Sequence, residues 1–209
     1  VTWKIAVNNI TTEGYYGHTE NLDLDRPSKL GVSLQNNNLN DKILIAAQHN
    51  KSLQWEGMPG LEDWTVNLIH KIRKYSDRHI VVRYHPRCPF FIPTQRFKML
   101  LMNKVIENCT LETPMQIEST YDAFNIDYNY HCVINYSSGP GINAVIAGAN
   151  VLVDKKSLAY PMSIALEEIE NPPKKKNKEK WLVEISHTEY TVDEIAEGLW
   201  LKRLKDSLV

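Results

Sequence analysis

The sequence predicts an α/β fold, a Rossmann-like parallel sheet flanked by helices, and three stretches carry that prediction. From His131 to Asp154 the chain reads as a buried strand (Cys132 to Ile134), a small-residue turn (Ser137, Ser138, Gly139), a short helix and a second buried strand, Val151-Leu-Val153. Pro140 falls in the first turn of that helix and Gly148 just past its end, the positions each residue favours. Ile80-Val-Val-Arg-Tyr-His-Pro86 is another short β-rich run, and Ile43-Leu-Ile-Ala-Ala47 is a third, ending in Gln48-His49-Asn50. Continuous apolar runs of this length fit strands covered on both faces. Each ends in polar residues, and open parallel sheets bind their ligands beyond the carboxyl ends of the strands.

Taken from the N-terminus, Trp3-Lys-Ile-Ala-Val7 alternates as a strand does, while residues 8–40 are rich in Asn, Thr, Gly and Asp and read as a long loop region. Residues 1–40 are therefore set apart as an N-terminal strand and polar loop, and residues 41–209 as the Rossmann-like domain. Trp64, Leu68, Ile69 and Ile72 share one face of a helix between the Ile43 and Ile80 strands. Phe97, Leu100, Leu101 and Val105 support a helix over residues 94–107, opened by Thr94 after Pro93. Ser119 is positioned to cap a short helix through Ala123 and Phe124. Thr191 with Glu194 three positions on is a capping box, predicting a final helix through Leu204.

Composition sets limits. A chain of 209 residues with 43% hydrophobic content can bury the core of one α/β domain, and a net charge of −1 argues against a dominant electrostatic commitment to nucleic acid. Cys88, Cys109 and Cys132 have neither Cys-x-x-Cys spacing nor zinc-site company, so they read as reduced thiols of a cytoplasmic protein. No apolar run approaches the roughly 18 residues of a membrane span, and Val1-Thr-Trp-Lys does not begin a signal peptide. A valine at position 1 fits a piece of a longer polypeptide. Five lysines between Lys174 and Lys180 form a basic loop that suits an anionic acceptor or simply a solvated connector, with Glu167, Glu168 and Glu170 upstream to neutralise it. There is no Gly-x-Gly-x-x-Gly, no Walker motif and no Gly-x-Ser-x-Gly elbow, which counts against dehydrogenase, NTPase and serine hydrolase readings.

The phosphate-binding candidates follow from the helix start. Ser137, Ser138, Gly139 and Gly141 bring hydroxyls and unhindered backbone to a point where unpaired N–H groups and the positive end of a helix dipole meet. Simple helix capping explains the serines equally well. Gln48 and His85 lie at the ends of two of the buried strands. Arg83 shares a strand face with His85, and its guanidinium suits bidentate phosphate contact, whereas Arg87 reads as a surface residue. Aromatics between Tyr121 and Tyr136 suit stacking on a base or sugar and equally strand-edge packing.

Gln48, the strand ending His85-Pro86, the Ser137 to Gly141 helix start and Gly148-Ala-Asn-Val-Leu-Val-Asp154 together resemble the donor-binding half of GT-B glycosyltransferases. The likeness is to a phage and large-virus set, and more distantly to capsule-polysaccharide transferases that use CMP-Kdo. It runs over roughly residues 40–204, including Glu179-Lys-Trp-Leu and Tyr190 to Trp200. Gln48 is followed by His49 where the capsule enzymes have proline, which leaves the donor open.

The resemblance implies one GT-B-type donor-binding domain that moves a sugar from a nucleotide sugar to a glycan or other hydroxyl acceptor. Gln48, Arg83, His85, Ser137, Ser138, Gly139 and Gly141 would face the donor, in the cytoplasm, or the host cytoplasm for a viral protein. An inverting transfer needs a base, for which Glu56 and His49 are the candidates after the Gln48 strand; Asp154 is a weaker third. Asp23-Leu-Asp25 has the spelling of a metal-binding Asp-x-Asp but not its strand-end setting, so no metal and no other cofactor is expected. The length implies a further domain or a homodimer partner to complete the cleft. The alternatives are a non-catalytic nucleotide- or glycan-binding module and a sugar transferase acting on hydroxymethylated DNA bases.

Overall fold

The computed structural model describes residues 2–88, 92, 94–113, 115–116 and 124–205. Its centre is a five-stranded parallel sheet built from β2 (Ile43–Ala46), β3 (Ile80–Arg83), β4 (Cys109–Glu112), β7 (Cys132–Asn135) and β8 (Asn150–Val153), in the order β4-β3-β2-β7-β8. In-register pairing aligns Ile43 with Ile80 on one side and with Cys132 on the other. The chain thus runs outward from β2 to one edge, returns, and runs outward from β7 to the other. That reversal leaves a crevice between the ends of β2 and β7, which is where Rossmann-like sheets seat ligands.

The side-chain period of two divides the core. Ile43, Ile45, Ile80, Val82 and Ile134 face α2 (Leu61–Ile72) and α3 (Thr94–Met102), packing with Ile69, Ile72 and Phe97. Leu44, Ala46, Val81 and Val133 face α4 (Gly139–Ala147) and α5 (Lys178–Ser186), packing with Ala144, Val145, Trp181 and Ile185. With both faces covered, every residue of β2, β3 and β7 is buried, as the unbroken apolar runs predict. Gly148 ends α4 at φ 95°, and a Cβ there would lie 2.8 Å from the Gln35 carbonyl oxygen. The three cysteines are buried and free, and burial pushes the Cys109 and Cys132 thiols up to about 11 and about 12. Among the described residues no helix is long and apolar enough to cross a membrane.

Several sequence expectations shift. The helix expected over residues 94–107 stops at Met102, and β4 follows it unanticipated; as an edge strand with one mainly buried residue, Cys109, it lacks a two-sided apolar run. Ser119, Tyr121 and Ala123 lie outside the described residues, while Phe124–Asn125 forms β6, antiparallel to β5 (Met115–Gln116). The Thr191 capping box is present, but Gly198 at φ 70° divides the final helix into α6 (Val192–Ala196) and α7 (Leu199–Leu204).

The N-terminal segment is tied to the C-terminal elements. β1 (Thr2–Lys4) pairs antiparallel with β9 (Glu189–Thr191), and Val7 bridges Tyr15 beyond it. Arg26, opening the short helix α1 (Arg26–Lys29), forks onto Glu194 and donates to the Glu189 carbonyl at 2.6 Å. Arg203 donates to the carbonyls of Gly17 and Glu20 at 2.7 and 2.6 Å. His187 is buried, accepting from the Asp23 N–H at Nε2 (3.1 Å) and facing the Val183 carbonyl with Nδ1 at 2.7 Å.

Only a neutral His187 ring can both donate at Nδ1 and accept at Nε2. Burial holds His187 and His18 below the ordinary histidine value of 6.5, with Arg203 pushing the same way. The unfolded chain therefore takes up protons first as pH falls, and stability is expected to decline from 6.5 downward. A second loss begins below 4.5, because hydrogen bonding to Arg26 holds Glu194 at about 2, and that contribution disappears as pH falls to the lower value. Urea midpoints measured across a pH series would check both steps. A midpoint unchanged between about pH 7 and about pH 5 would rule out the histidine contribution.

Candidate functional site

The site forms where the strand order reverses. Asn135, the last residue of β7, is buried and spans the crevice, donating from Nδ2 to the Ala46 carbonyl at 2.7 Å and accepting the Ser138 N–H at Oδ1 at 2.9 Å. Gln48 reaches back from beyond β2; its Oε1 accepts the N–H and hydroxyl of Ser137 at 3.1 and 3.2 Å, and its Nε2 donates to Ser52 at 2.9 Å. These amides fix the turn into α4. Ser138 occupies the N-cap position but makes no side-chain capping bond, its hydroxyl being engaged with the Asn135 amide. Serine capping, the plain explanation of the sequence, is therefore not how this helix begins.

The glycines of the turn have different settings. Gly139 is exposed, and a Cβ added to it would meet nothing within 4 Å. Gly141 is buried, and a Cβ there would lie 2.9 Å from Val153 Cγ1 and 3.5 Å from the Ala159 Cβ, so this glycine serves the packing of α4 against β8. Gly141→Ala is expected to cost about 1–3 kcal/mol through overpacking, whereas Gly139→Ala should leave stability within about 0.5 kcal/mol. Urea unfolding of the two variants checks the contrast, and equal losses would refute it.

On the β3 side of the crevice lies a cavity of about 220 Å³ lined by Ala47, His85, Pro86, Ile126, Tyr128 and Pro140, among others. Burial raises the Tyr128 hydroxyl above its ordinary value, with Asn143 and Arg83 acting in the opposite direction. Arg83 also reaches this wall, but its guanidinium is almost fully buried and already engaged. It pairs with Glu112 at 2.9 Å, donates to the Asp127 carbonyl at 2.7 Å, and lies 5.8 and 5.7 Å from the ring centres of Tyr128 and Tyr130. Arg83 thereby holds residues 127–130 against the sheet.

His85 accepts the Arg87 N–H at Nδ1 (3.2 Å) and meets the His49 ring edge-on, with centroids 4.9 Å apart. His49 accepts the Lys51 N–H at Nδ1 (2.9 Å) and faces the Arg87 carbonyl with Nε2 at 3.1 Å, which requires a proton on Nε2. Both its nitrogens fasten loops. Glu56 is exposed and belongs to a different cavity, on the β8 side, with Asn8, Asn9, Gln54 and Lys156. Asp154 accepts the Lys156 N–H at Oδ1 (3.0 Å), a turn role. The structure thus brings Gln48, Ser137, Ser138 and Gly139 to the crevice beside the cavity that His85 and Pro140 line, keeps His49 against His85 with both nitrogens on backbone, and leaves Glu56 in the other cavity.

The basic loop leads into α5. Its upstream acids do not neutralise it: Glu170 pairs with Arg78, Glu167 accepts from Tyr75, and Glu168 caps the Ala165 turn. Sequence reasoning passed over Asn135, for which a polar residue closing the apolar run Cys132 to Ile134 was the available signal. Tyr128 is one of the aromatics that suit base or sugar stacking or strand-edge packing, and it lines the cavity. Compared with known proteins, the chain matches no protein-family model and no curated protein.

Proposed function

We propose that this chain is the donor-binding domain of a metal-independent, GT-B-like glycosyltransferase. It would take a nucleotide sugar in the β2/β7 crevice and pass the sugar to a glycan or other hydroxyl acceptor. The observation that carries the reading is the start of α4, set at the reversal of strand order and without a side-chain cap, beside a largely apolar cavity of about 220 Å³. That volume suits a nucleobase flanked by Tyr128 and Pro140, while the phosphates meet the exposed backbone at Gly139. Here Gln48 and Asn135 hold the Ser137 and Ser138 N–H groups and Pro140 has none, so an anion would meet the Gly139 N–H together with the roughly half positive charge at the start of α4. The same field favours the charge that develops on a departing phosphate. It assigns the electrostatic role to backbone and not to Arg83, whose charge is balanced by Glu112.

A second reading has its own observation. His49 has both nitrogens engaged with backbone, and Glu56 belongs to the second cavity and not to the one beside the α4 start, so neither stands out as a poised base. A binding module that holds a nucleotide or glycan without turning it over fits those facts.

The test is a thermal-shift panel of UDP, GDP, CMP, dTDP and their sugar conjugates, with and without a chelator. A ligand bound only by the native state raises the melting temperature by mass action. A shift with one nucleotide, unchanged by chelation and lost in Gly139→Val, supports the crevice assignment. Silence across the panel would sink it. Turnover of the conjugate in the presence of acceptor glycans then separates the enzyme from the binding module.

A further inference from the structure

We propose that the second cavity, formed between the N-terminal hairpin (residues 7–15, closed by the antiparallel Val7–Tyr15 bridge) and the loops after β2 and β8, is a saccharide-binding subsite. The hairpin would then close the far side of the cleft. The inference rests on the nucleotide-sugar reading above and deepens it.

The first support is position. β7 lies between β2 and β8 in the sheet, so the loops leaving β2 and β8 flank the β7 end where Ser137 sits. Trp55, in the loop after β2, packs edge-on against Tyr136 with centroids 5.3 Å apart, which anchors residues 53–56 beside the end of β7. From the other side, Thr12 donates its N–H to the Lys156 carbonyl at 3.0 Å and its hydroxyl to the Lys155 carbonyl at 2.8 Å, anchoring the hairpin to the loop after β8. The two cavities therefore lie on opposite sides of the Gln48–Ser137 junction, beyond the carboxyl ends of the strands.

The second support is chemistry. The cavity is about 360 Å³, and Asn8, Asn9, Gln54, Glu56 and Lys156 are the amide-bearing and charged residues of its lining. Each amide both donates and accepts and Glu56 only accepts, a mixture that matches ring hydroxyls, which do both. Exposed aliphatic surface accompanies them, with Leu53 84% and Ile10 51% exposed, so that the C–H face of a sugar also finds a partner. Glu56 makes no ion pair among the described residues, and the nearest carboxylate to Lys156 is that of Glu13, at 3.9 Å. A second nucleotide phosphate would meet Glu56 and fits less well than a neutral polyol.

The hairpin that brings Asn8 and Asn9 here depends on Gly14. A Cβ at Gly14 would lie 1.6 Å from the Asn9 carbonyl oxygen, so alanine cannot be accommodated without opening the turn. Gly14→Ala therefore disturbs this wall at a distance from Gly139, while Gln54→Ala and Glu56→Ala change partly or fully exposed side chains.

The test is calorimetric titration of the full chain with UDP, GDP, CMP and dTDP, each against its sugar conjugate, such as UDP-glucose or GDP-mannose. A parallel arm measures saturation transfer to methyl glycosides in the presence of the nucleotide. A donor sugar in the cavity makes the conjugate bind about five- to tenfold tighter than the nucleotide, the contribution of one or two net hydrogen bonds. Gln54→Ala, Glu56→Ala and Gly14→Ala should bring that ratio to about one without changing affinity for the bare nucleotide. An acceptor sugar instead leaves the ratio near one in the wild type and gives glycoside signals that the same variants abolish. If nucleotide binds but neither the ratio nor the glycoside signals respond to the variants, the subsite is overturned while the nucleotide reading stands. If no nucleotide binds, both fall together.

Discussion

Arg83→Met is expected to lower stability by about 3 kcal/mol, among the larger losses a single substitution produces here. The long apolar stem is replaced, so packing is largely kept, and the loss falls on polar partners. The Asp127 carbonyl loses its 2.7 Å donor, Glu112 loses its counter-ion, and the rings of Tyr128 and Tyr130 lose the guanidinium beside them. The Glu112 side chain is 34% exposed and regains water, which keeps the cost below that of a fully buried orphaned charge. Arg83→Lys separates two roles. If Arg83 acted on a ligand through charge alone, lysine would preserve nucleotide affinity. As the brace that keeps Tyr128 on the cavity wall, it needs the guanidinium fork, and lysine should recover less than half of the stability. Urea unfolding and nucleotide titration of both variants distinguish these outcomes.

Asn135→Ala should cost a similar amount, about 2–4 kcal/mol, from one short side chain. It leaves the Ala46 carbonyl and the Ser138 N–H without their 2.7 and 2.9 Å partners in a site that is 2% exposed at Asn135 itself. Each orphaned buried group costs about 1–3 kcal/mol. For a chain of this size that is a fall in melting temperature of roughly 6–12 °C. The same deletion frees the Ser138 turn, so nucleotide affinity should drop more than in Ser138→Ala, which leaves both backbone groups partnered. Equal affinities in the two variants would remove Asn135 as the residue that shapes the α4 start.

Legibility in the sequence followed the range of the interaction. β2, β3 and β7 could be read because strands covered on both faces are apolar along their length, up to the polar Arg83 and Asn135 that close β3 and β7, and α4 because Pro140 and Gly148 mark its two ends locally. The Thr191 box was visible for the same reason: its two partners are three residues apart. β4 escaped because only Cys109 of its four residues is buried. Arg83 looked like a phosphate ligand because its counter-ion, Glu112, is brought alongside only when β4 pairs with β3. Gly139 and Gly141 carry identical local signals, and only the approach of Val153 and Ala159 separates a packing glycine from an open one.

The sequence by itself determined the α/β class, four of the five sheet strands (β2, β3, β7 and β8), the helix that opens at the Ser-Ser-Gly turn, and the polar residues gathered at the strand ends. Those features depend on period, propensity and caps, which act over a few residues. Tertiary structure decided the strand order that turns the ends of β2 and β7 into a crevice. It decided the use of Asn135 and Gln48 to span that crevice, and the engagement of His49 and Arg83 with neighbours far along the chain. It also placed the N-terminal hairpin beside the loop after β8. The reason is physical: local patterns fix which way each side chain points along its own element, whereas the partner it meets depends on pairings across tens of residues.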